Sequence, residues 1–253
     1  MRYIYNSFIY EPLYNGLIIL VDLLKSLSWV DAGIIIILFT IIVKLVLFPL
    51  SKKAVRTQAV MKLVEPELAA LKEKYKGDKQ AQAVHIMNFY KEKGINPFSS
   101  IFLLFIQLPI IFALYKVFYA TGFTSIHTEL LYSFVSVPPL PSPLFLGILD
   151  VTEKSAVLAV LAAVSQYFQI KLSVPVLPKK TGGERNFQED FARNMQVQMK
   201  YVLPVMILFI SYHVAGALAL YWITSNLFTI GQELVIRRQL ERERVAAKAV
   251  VKA

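Results

Sequence analysis

Long apolar runs alternate with polar segments along this chain, and several of the runs approach the length of a membrane-crossing helix. About 20 consecutive apolar residues are enough to cover the hydrocarbon layer of a bilayer as an α-helix. Five segments meet this pattern: residues 31–50, 98–119, 153–172, 198–214 and 217–237. The pattern therefore predicts an all-α membrane protein with a bundle of five transmembrane helices, and the mean hydropathy of +0.54 agrees with this class.

Residues 8–28 are also rich in apolar side chains, but polar residues recur among them at helical spacing. Their spacing predicts a polar stripe on the helix, opposite a row of leucines. The stripe consists of Glu11, Asn15, Asp22 and Lys25. Asp22 would lie deep in the hydrocarbon if this segment crossed the membrane. We therefore expect residues 1–30 to form an amphipathic helix in the membrane interface, with a membrane-crossing helix as the alternative.

Residues 51–96 are polar and carry two narrow apolar seams. The first seam steps by three and four residues through Met61, Val64, Leu68, Leu71 and Tyr75, and the second through Ala83, Ile86, Met87 and Tyr90. A turn is predicted between them at Lys76-Gly77-Asp78. The segment is thus expected to be an antiparallel helical hairpin outside the bilayer.

The distribution of Lys and Arg predicts which side of the membrane each segment faces. Residues 51–97 contain ten of these residues, whereas residues 120–152 contain none. Further clusters lie in residues 171–200 and in the basic tail, residues 239–253, with the Arg237-Arg238 pair before it. Because cytoplasmic segments are enriched in Lys and Arg, we expect the hairpin and the C-terminus in the cytoplasm and the N-terminus outside.

Lys44 is the single charged residue in the apolar run 32–50. Inserting a lysine at such a depth costs about 2.5–3.5 kcal/mol of free energy on insertion scales, so the side chain needs contact with water, a partner of opposite charge or a functional role. Thr40 lies one turn earlier on the same helical face. Two interpretations stay open: the side chain bends toward the cytoplasmic surface, or it lies in a hydrated cavity within the membrane.

Uncharged polar groups recur in the other predicted spans, and we assign Lys44 no acidic partner among them. A cation among neutral polar groups favours a wet, positively charged groove over a buried ion pair. Taken singly, each polar group is more typical of a helix–helix hydrogen bond. The groups are Gln107, Gln166, Gln169, Ser211, Tyr212, His213, Thr224, Ser225 and Asn226.

Four segments, in order and with the matching topology, resemble the YidC family of membrane protein insertases, whose relatives include the mitochondrial Oxa and chloroplast Albino proteins. They are TIIVKLVLFPLSKKA (40–54), EPELAALKEKY (65–75), NPFSSIFLLFIQLPIIFALY (96–115) and ALALYWITSNLFTIGQELVIRR (217–238). The resemblance covers about residues 8–238. It differs at one position, because the family usually has arginine where this chain has Lys44.

The resemblance implies five core helices around a hydrophilic groove that captures the hydrophilic parts of nascent membrane proteins. Hydrophobic segments of the substrate would then pass into lipid along residues 98–119 and 198–214. The implied partners are nascent membrane proteins, the ribosome, membrane lipids and, in some cases, the Sec translocon of a bacterial plasma (inner) membrane. By motif, the implied groove residues are Lys44, Thr40, Gln107, Tyr221, Trp222 and Ser225, to which the polar pattern adds Gln166.

Other function classes find less support in the sequence. A small transporter or channel using the same groove is the main alternative, but the spans contain no inverted repeat and no glycine-broken helix pair. We predict no enzyme activity, no catalytic residue and no cofactor, and the spacing of His85, His127 and His213 predicts no metal site. The basic tail is suited either to ribosomal RNA and anionic lipid or simply to setting topology.

Overall fold

The computed structural model describes residues 2–94, 109–118, 125–173 and 197–252. These residues are mostly helical, which confirms the all-α class. After a short helix at Arg2–Tyr5 and a π-helical turn at Asn6–Tyr10, the main helices are α1 (Glu11–Leu24), α2 (Ala32–Val46), α3 (Phe48–Leu63), α4 (Glu65–Lys74), α5 (Lys79–Glu92), α6 (Pro109–Phe118), α7 (Ala156–Ser173), α8 (Leu203–His213) and α9 (Gly216–Lys252). Two short strands, β1 (Leu144–Phe145) and β2 (Leu149–Asp150), form an antiparallel hairpin in which Leu144 pairs with Asp150.

Within the described residues, two helices are long and apolar enough to cross a membrane on their own, Asn6–Leu24 and Ala156–Ser173. A third span results if α2 and the helix after it are taken as one bent crossing. The five-span count stays a prediction, because most of residues 98–119 lies outside the described part. The interfacial placement of residues 8–28 also stays a prediction.

The first helix of the predicted span 31–50 ends before residue 50, and the span itself stays a prediction. Helix α2 begins after Asp31, whose carboxylate accepts a hydrogen bond from the backbone N–H of Ile34 at 2.9 Å, and it ends at Val46. Pro49 explains the early end, because it lacks the backbone N–H that would continue the helical hydrogen bonds to the carbonyl of Leu45. The chain resumes as α3, with Pro49 in its first turn.

The predicted span 217–237 is a segment of a much longer helix. Helix α9 runs from Gly216 to Lys252, about 55 Å, and so includes most of the tail. The tail lacks Gly and Pro and is rich in Ala, Glu, Arg and Lys, which favour helix. The predicted tight turn at Ala215-Gly216 is confirmed, since α8 ends at His213 and α9 starts at Gly216.

The chain divides into two compact units. The first contains α1, α2, α6, α8, the β-hairpin and the N-terminal parts of α7 and α9, and its boundaries are Met1–Leu47, Leu104–Tyr167 and Leu203–Phe228. Its core is built largely from α1 and α2, where Tyr14, Leu17, Ile35 and Ile36 are almost completely buried. The other unit consists of Phe48–Leu103, Phe168–Val202 and Thr229–Ala253.

Asn15, a member of the predicted polar stripe of α1, does not face solvent. Its side chain is buried, its amide Nδ2 donates to the carbonyl of Leu130, and its Oδ1 accepts from the backbone N–H of Tyr132, at 2.9 and 2.8 Å. Tyr14 adds a third such contact, because its hydroxyl accepts from the N–H of His127 at 2.7 Å. One polar face of α1 therefore holds the segment 127–132 in place.

The hairpin predicted in residues 51–96 is confirmed in its helices and its turn. Helices α4 and α5 pack together, and Asp78 caps α5 by accepting from the N–H groups of Gln80 and Ala81. Tyr75 of the first seam stacks on His85 with ring centroids 4.0 Å apart. The second seam is partly wrong, because Ala83 and Met87 are exposed and Gln82 is buried instead.

Within the second unit, α3 and the C-terminal half of α9 run parallel and share a small apolar cluster. Its buried members, four residues apart on each helix, are Val55 and Ala59 of α3 with Ile236 and Leu240 of α9. The cluster is flanked by a hydrogen bond from Gln232 Nε2 to Ser51 Oγ at 3.0 Å and by an ion pair between Arg56 and Glu243 at 2.7 Å. Helix α3, the stem that leads into the hairpin, is thus joined to the C-terminal half of α9.

We expect Gly33→Ala to destabilise the first unit by about 1–3 kcal/mol, the usual cost of overpacking. A Cβ atom on Gly33 would lie 2.2 Å from Cδ2 and 2.7 Å from Cβ of Phe145, so the β-hairpin would have to move away from α2. Gly231→Ala is a matched control, since nothing lies within 4 Å of the added Cβ. Thermal unfolding in detergent measures both variants, and equal midpoints would contradict the close packing of Phe145 on Gly33.

Candidate functional site

Lys44 lies in the last turn of α2 and is half-buried. Among the described residues, it makes no hydrogen bond or ion pair. The carbonyl groups at a helix C-terminus carry partial negative charge, which stabilises a cation at this position. Lys44 is therefore a cation on a strongly apolar helix whose charge no described side chain neutralises.

Thr40 lies one turn before Lys44 and is almost completely buried. Its hydroxyl donates to the carbonyl of Ile36 at 2.6 Å, so its single proton is used within α2. The oxygen keeps the capacity to accept a further hydrogen bond. Thr40 and Lys44 are thus on one face, as expected, although the hydroxyl is directed to its own helix.

Gln107 lies outside the described residues, and the other predicted site residues belong to the same unit as Lys44. Tyr221 and Ser225 are buried on α9, whereas Trp222 on α9 and Gln166 on α7 are half-buried. Tyr221 is part of the apolar core, and Trp222 packs against that core. No described contact joins Lys44 to the other four.

A buried polar contact links α7 to α9 next to these residues. The Asn226 amide Nδ2 donates to Ser165 Oγ at 3.0 Å, and the Ser165 hydroxyl donates to the carbonyl of Ala162 at 2.8 Å. Ser165 precedes Gln166, and Asn226 follows Ser225. Such contacts are the helix–helix hydrogen bonds that single polar residues in membrane helices usually make. These hydrogen bonds hold the backbone next to Gln166 and Ser225 in place.

Each of the three histidines has a structural contact. His85 stacks on Tyr75, the Nδ1 atom of His127 lies 2.7 Å from Glu129 Oε1, and the Nδ1 atom of His213 lies 2.8 Å from the carbonyl of Phe209. A hydrogen bond from the backbone of Glu129 itself, followed by the contact with His127, lowers the pKa of the Glu129 carboxyl. Within the described ranges, no group of three or more His, Asp or Glu residues is arranged to hold a metal ion.

Glu233 is a buried charged residue that the sequence pattern did not single out. It lies inside the predicted last span, and its charge is paired with Arg237 and not with Lys44. Its side chain is completely buried, accepts a hydrogen bond from the Ser173 hydroxyl, and accepts from Arg237 Nε at 3.0 Å and Nη2 at 2.7 Å. The four-residue spacing of Glu233 and Arg237 on one helix is the signal that could have found this pair.

The pair belongs to a network at the C-terminal end of α7, entirely within the second unit. Arg237 Nη2 also donates to the carbonyl of Leu172 at 2.5 Å, and Lys62 Nζ donates to the same carbonyl at 2.8 Å. These contacts satisfy a terminal carbonyl that has no partner within its own helix. Burial, followed by the charge of Arg237, lowers the pKa of Lys62. The network ties the hairpin stem, α7 and α9 together.

Comparison with known proteins gives the relationship of the chain. The sequence profile of the 60Kd inner membrane protein family matches residues 23–243. A protein of Clostridium tetani named membrane protein insertase YidC is 34% identical over 216 residues, which are 85% of this chain and 86% of that protein. Proteins of the same name from Wolinella succinogenes and Francisella tularensis subsp. novicida are 30% and 32% identical.

The extent of each match differs between the relatives. The aligned segments cover 98% and 83% of this chain, but only 40% of the Wolinella protein and 33% of the Francisella protein. All three relatives are named as insertases, which confirms the predicted resemblance to the YidC family and the prediction of a protein that is not an enzyme. The match over residues 23–243 establishes that this chain is a member of the 60Kd inner membrane protein family.

Proposed function

We propose that this chain is a membrane protein insertase that uses Lys44 to capture the hydrophilic parts of nascent membrane proteins. The observation that carries the proposal is a half-buried lysine on an apolar helix with no neutralising partner in the described part of the chain. Such a cation attracts acidic side chains, and its attraction is stronger where less water surrounds it. The names of the relatives support the same function.

Release into the lipid would follow from the hydrophobic effect. A substrate segment gains about 25 cal/mol for each Å² of apolar surface that leaves water, so an apolar segment favours the bilayer once its polar flank has been captured. Helix α8 supports a path for this step, because it exposes a row of apolar side chains at Val205, Met206 and Phe209. The other proposed path, along residues 98–119, rests on the family resemblance.

The proposed orientation places the N-terminus outside and the hairpin and C-terminus in the cytoplasm of a bacterial inner membrane. Its support is the contrast between the ten Lys and Arg residues of segment 51–97 and their absence from segment 120–152. A cytoplasmic α9 would extend its basic tail toward the ribosome or anionic lipid headgroups. Nascent chains are the partner that the proposal requires, and the Sec translocon is an optional second one.

An insertion assay tests the proposed function against transport. Expression of this chain in a bacterium depleted of its own insertase is expected to restore insertion of small proteins with one or two membrane spans. Purified chain in lipid vesicles should also insert such proteins after synthesis in vitro, with protease protection as the measurement. Vesicles that conduct ions or small solutes but insert no nascent chain would contradict the proposal and favour a transporter or channel.

A further inference from the structure

The β-hairpin formed by β1 and β2 presents an exposed apolar tip. Between the strands, Leu146 is 64% exposed and Ile148 is 79% exposed, with Gly147 between them. Large aliphatic side chains at this exposure are common singly, but here they form the whole tip of a turn. A turn in contact with water would normally carry polar residues. The tip therefore has the composition of a surface that meets something apolar.

The backbone at Leu146 strengthens this reading. Its φ angle is +53°, in the left-handed region, and that of Gly147 is +70°. Glycine, asparagine and aspartate adopt this region readily, whereas a leucine is strained there. Because most of the Leu146 side chain is exposed, it contributes little to packing within the chain. An apolar side chain in this conformation is explained if its contact lies outside the protein.

The β-hairpin is fixed to the N-terminal end of α2. The carboxylate of Asp31 accepts from the N–H of Ile34 through Oδ1 and from the N–H of Leu146 through Oδ2, at 2.9 and 2.8 Å. The N–H of Ala32 donates to the carbonyl of Ser142 at 2.8 Å. One side chain thus caps the helix and anchors the tip, so the hairpin and α2 are expected to move as one body.

The length of α2 sets the depth of the hairpin in the membrane. Its 15 residues extend about 22 Å, whereas the hydrocarbon layer is about 30 Å thick. A helix of this length cannot by itself reach both surfaces of the hydrocarbon layer, so a structure held at its end is expected to lie close to the adjacent leaflet. Trp29, two residues before Asp31, is 66% exposed, and tryptophan is enriched at membrane interfaces. No Lys or Arg occurs in residues 120–152 to hold this region in water.

We propose that the tip Leu146-Gly147-Ile148 inserts into the phospholipid leaflet around the N-terminal end of α2 and anchors that helix at a fixed depth. The proposal goes beyond insertion and rests on α2 crossing the membrane. Its consequence for the proposed function is positional. Lys44 lies 12 residues after Ala32 on the same helix, about 18 Å along its axis, so an anchor at one end also sets the depth of the cation.

Spin labelling tests the anchor, and the absence of cysteine from the chain makes single-label variants straightforward. The full chain with Ile148→Cys is labelled with a nitroxide in vesicles of phosphatidylethanolamine and phosphatidylglycerol. Molecular oxygen concentrates in the acyl layer, and a polar nickel chelate concentrates in water. The ratio of the collision rates of oxygen and of the nickel chelate with the nitroxide therefore reports whether the label lies in the acyl layer or in water. Thr128→Cys, at an exposed polar position of the same loop region, is the matched control.

We expect the oxygen-to-nickel ratio at position 148 to exceed that at position 128 several-fold. Leu146→Cys provides a second label on the tip and should give the same result. Equal ratios at positions 148 and 128 would overturn the proposal. A label at 148 that is shielded from both reagents would also overturn it, because that result indicates burial against protein, such as a second copy. Insertion measured on the same vesicles separates this outcome from failure of the proposed function.

Discussion

Arg237→Ala is expected to lower the free energy of unfolding by about 3–5 kcal/mol, the largest stability effect that we predict. The substitution removes the cation that neutralises Glu233, whose side chain is completely buried. It also removes the donor at 2.5 Å from the carbonyl of Leu172. A buried carboxylate without a cation is much less favourable than the intact pair. Unfolding in detergent by increasing temperature or denaturant measures the effect.

Two further variants separate the buried charge from other causes. Arg238→Ala removes the adjacent, exposed arginine and is expected to leave stability nearly unchanged. The double variant Glu233→Gln with Arg237→Ala removes both charges, so it should be more stable than Arg237→Ala alone. A single Arg237→Ala variant as stable as Arg238→Ala would show that Glu233 is not buried as a charge in the folded protein.

Lys44→Ala is expected to reduce insertion of substrates with acidic translocated tails by at least about fivefold. The estimate comes from an attraction of about 1 kcal/mol between unit charges 4 Å apart in water, rising to about 4 kcal/mol at an effective dielectric constant of 20. Substrates with neutral tails should be affected least. Lys44→Arg keeps the charge and should retain insertion, although it changes the geometry of donors at this site.

Two controls accompany the Lys44 variants: removal of a different lysine, and a negative charge at position 44. Lys25→Ala removes an exposed lysine that pairs with Asp22 at 2.8 Å, and exposed pairs of this kind contribute little. Lys44→Glu should impair acidic tails more than Lys44→Ala does, because repulsion replaces attraction. If Lys44→Ala changed the insertion of acidic and neutral tails by the same factor relative to the unsubstituted chain, electrostatic capture at this position would be excluded.

Local features of the fold could be predicted from the sequence because short segments determine them. The hairpin turn at Lys76-Gly77-Asp78 and the break at Ala215-Gly216 were both predicted from residues that favour turns. Pro49 also carried the signal that α2 ends early, but the apolar run extends to Leu50 and hid the end of the helix at Val46. Where a local signal and a long apolar pattern disagree, the local signal gave the helix boundary.

Contacts between distant segments could not be predicted in the same way. Asp31 meets the N–H of Leu146, 115 residues later, and Asn15 meets the N–H of Tyr132, 117 residues later. Nothing in the polar pattern of α1 distinguishes a residue facing water from one facing a neighbouring loop. The contact of Glu233 with Ser173 of another helix belongs to the same class, although the spacing of Glu233 and Arg237 was a local signal for the ion pair.

Accessibility of position 44 to water tests the central claim most directly. A single cysteine at position 44, in the membrane-embedded chain, is treated with a water-soluble maleimide, and Ile42→Cys, which replaces a residue 44% exposed on the same apolar helix, serves as the lipid-facing control. A hydrated groove predicts rapid labelling at position 44 and slow labelling at position 42. Slow labelling at both positions would contradict the groove, because it would show that Lys44 reaches water only through its long side chain while the helix backbone beneath it stays in lipid.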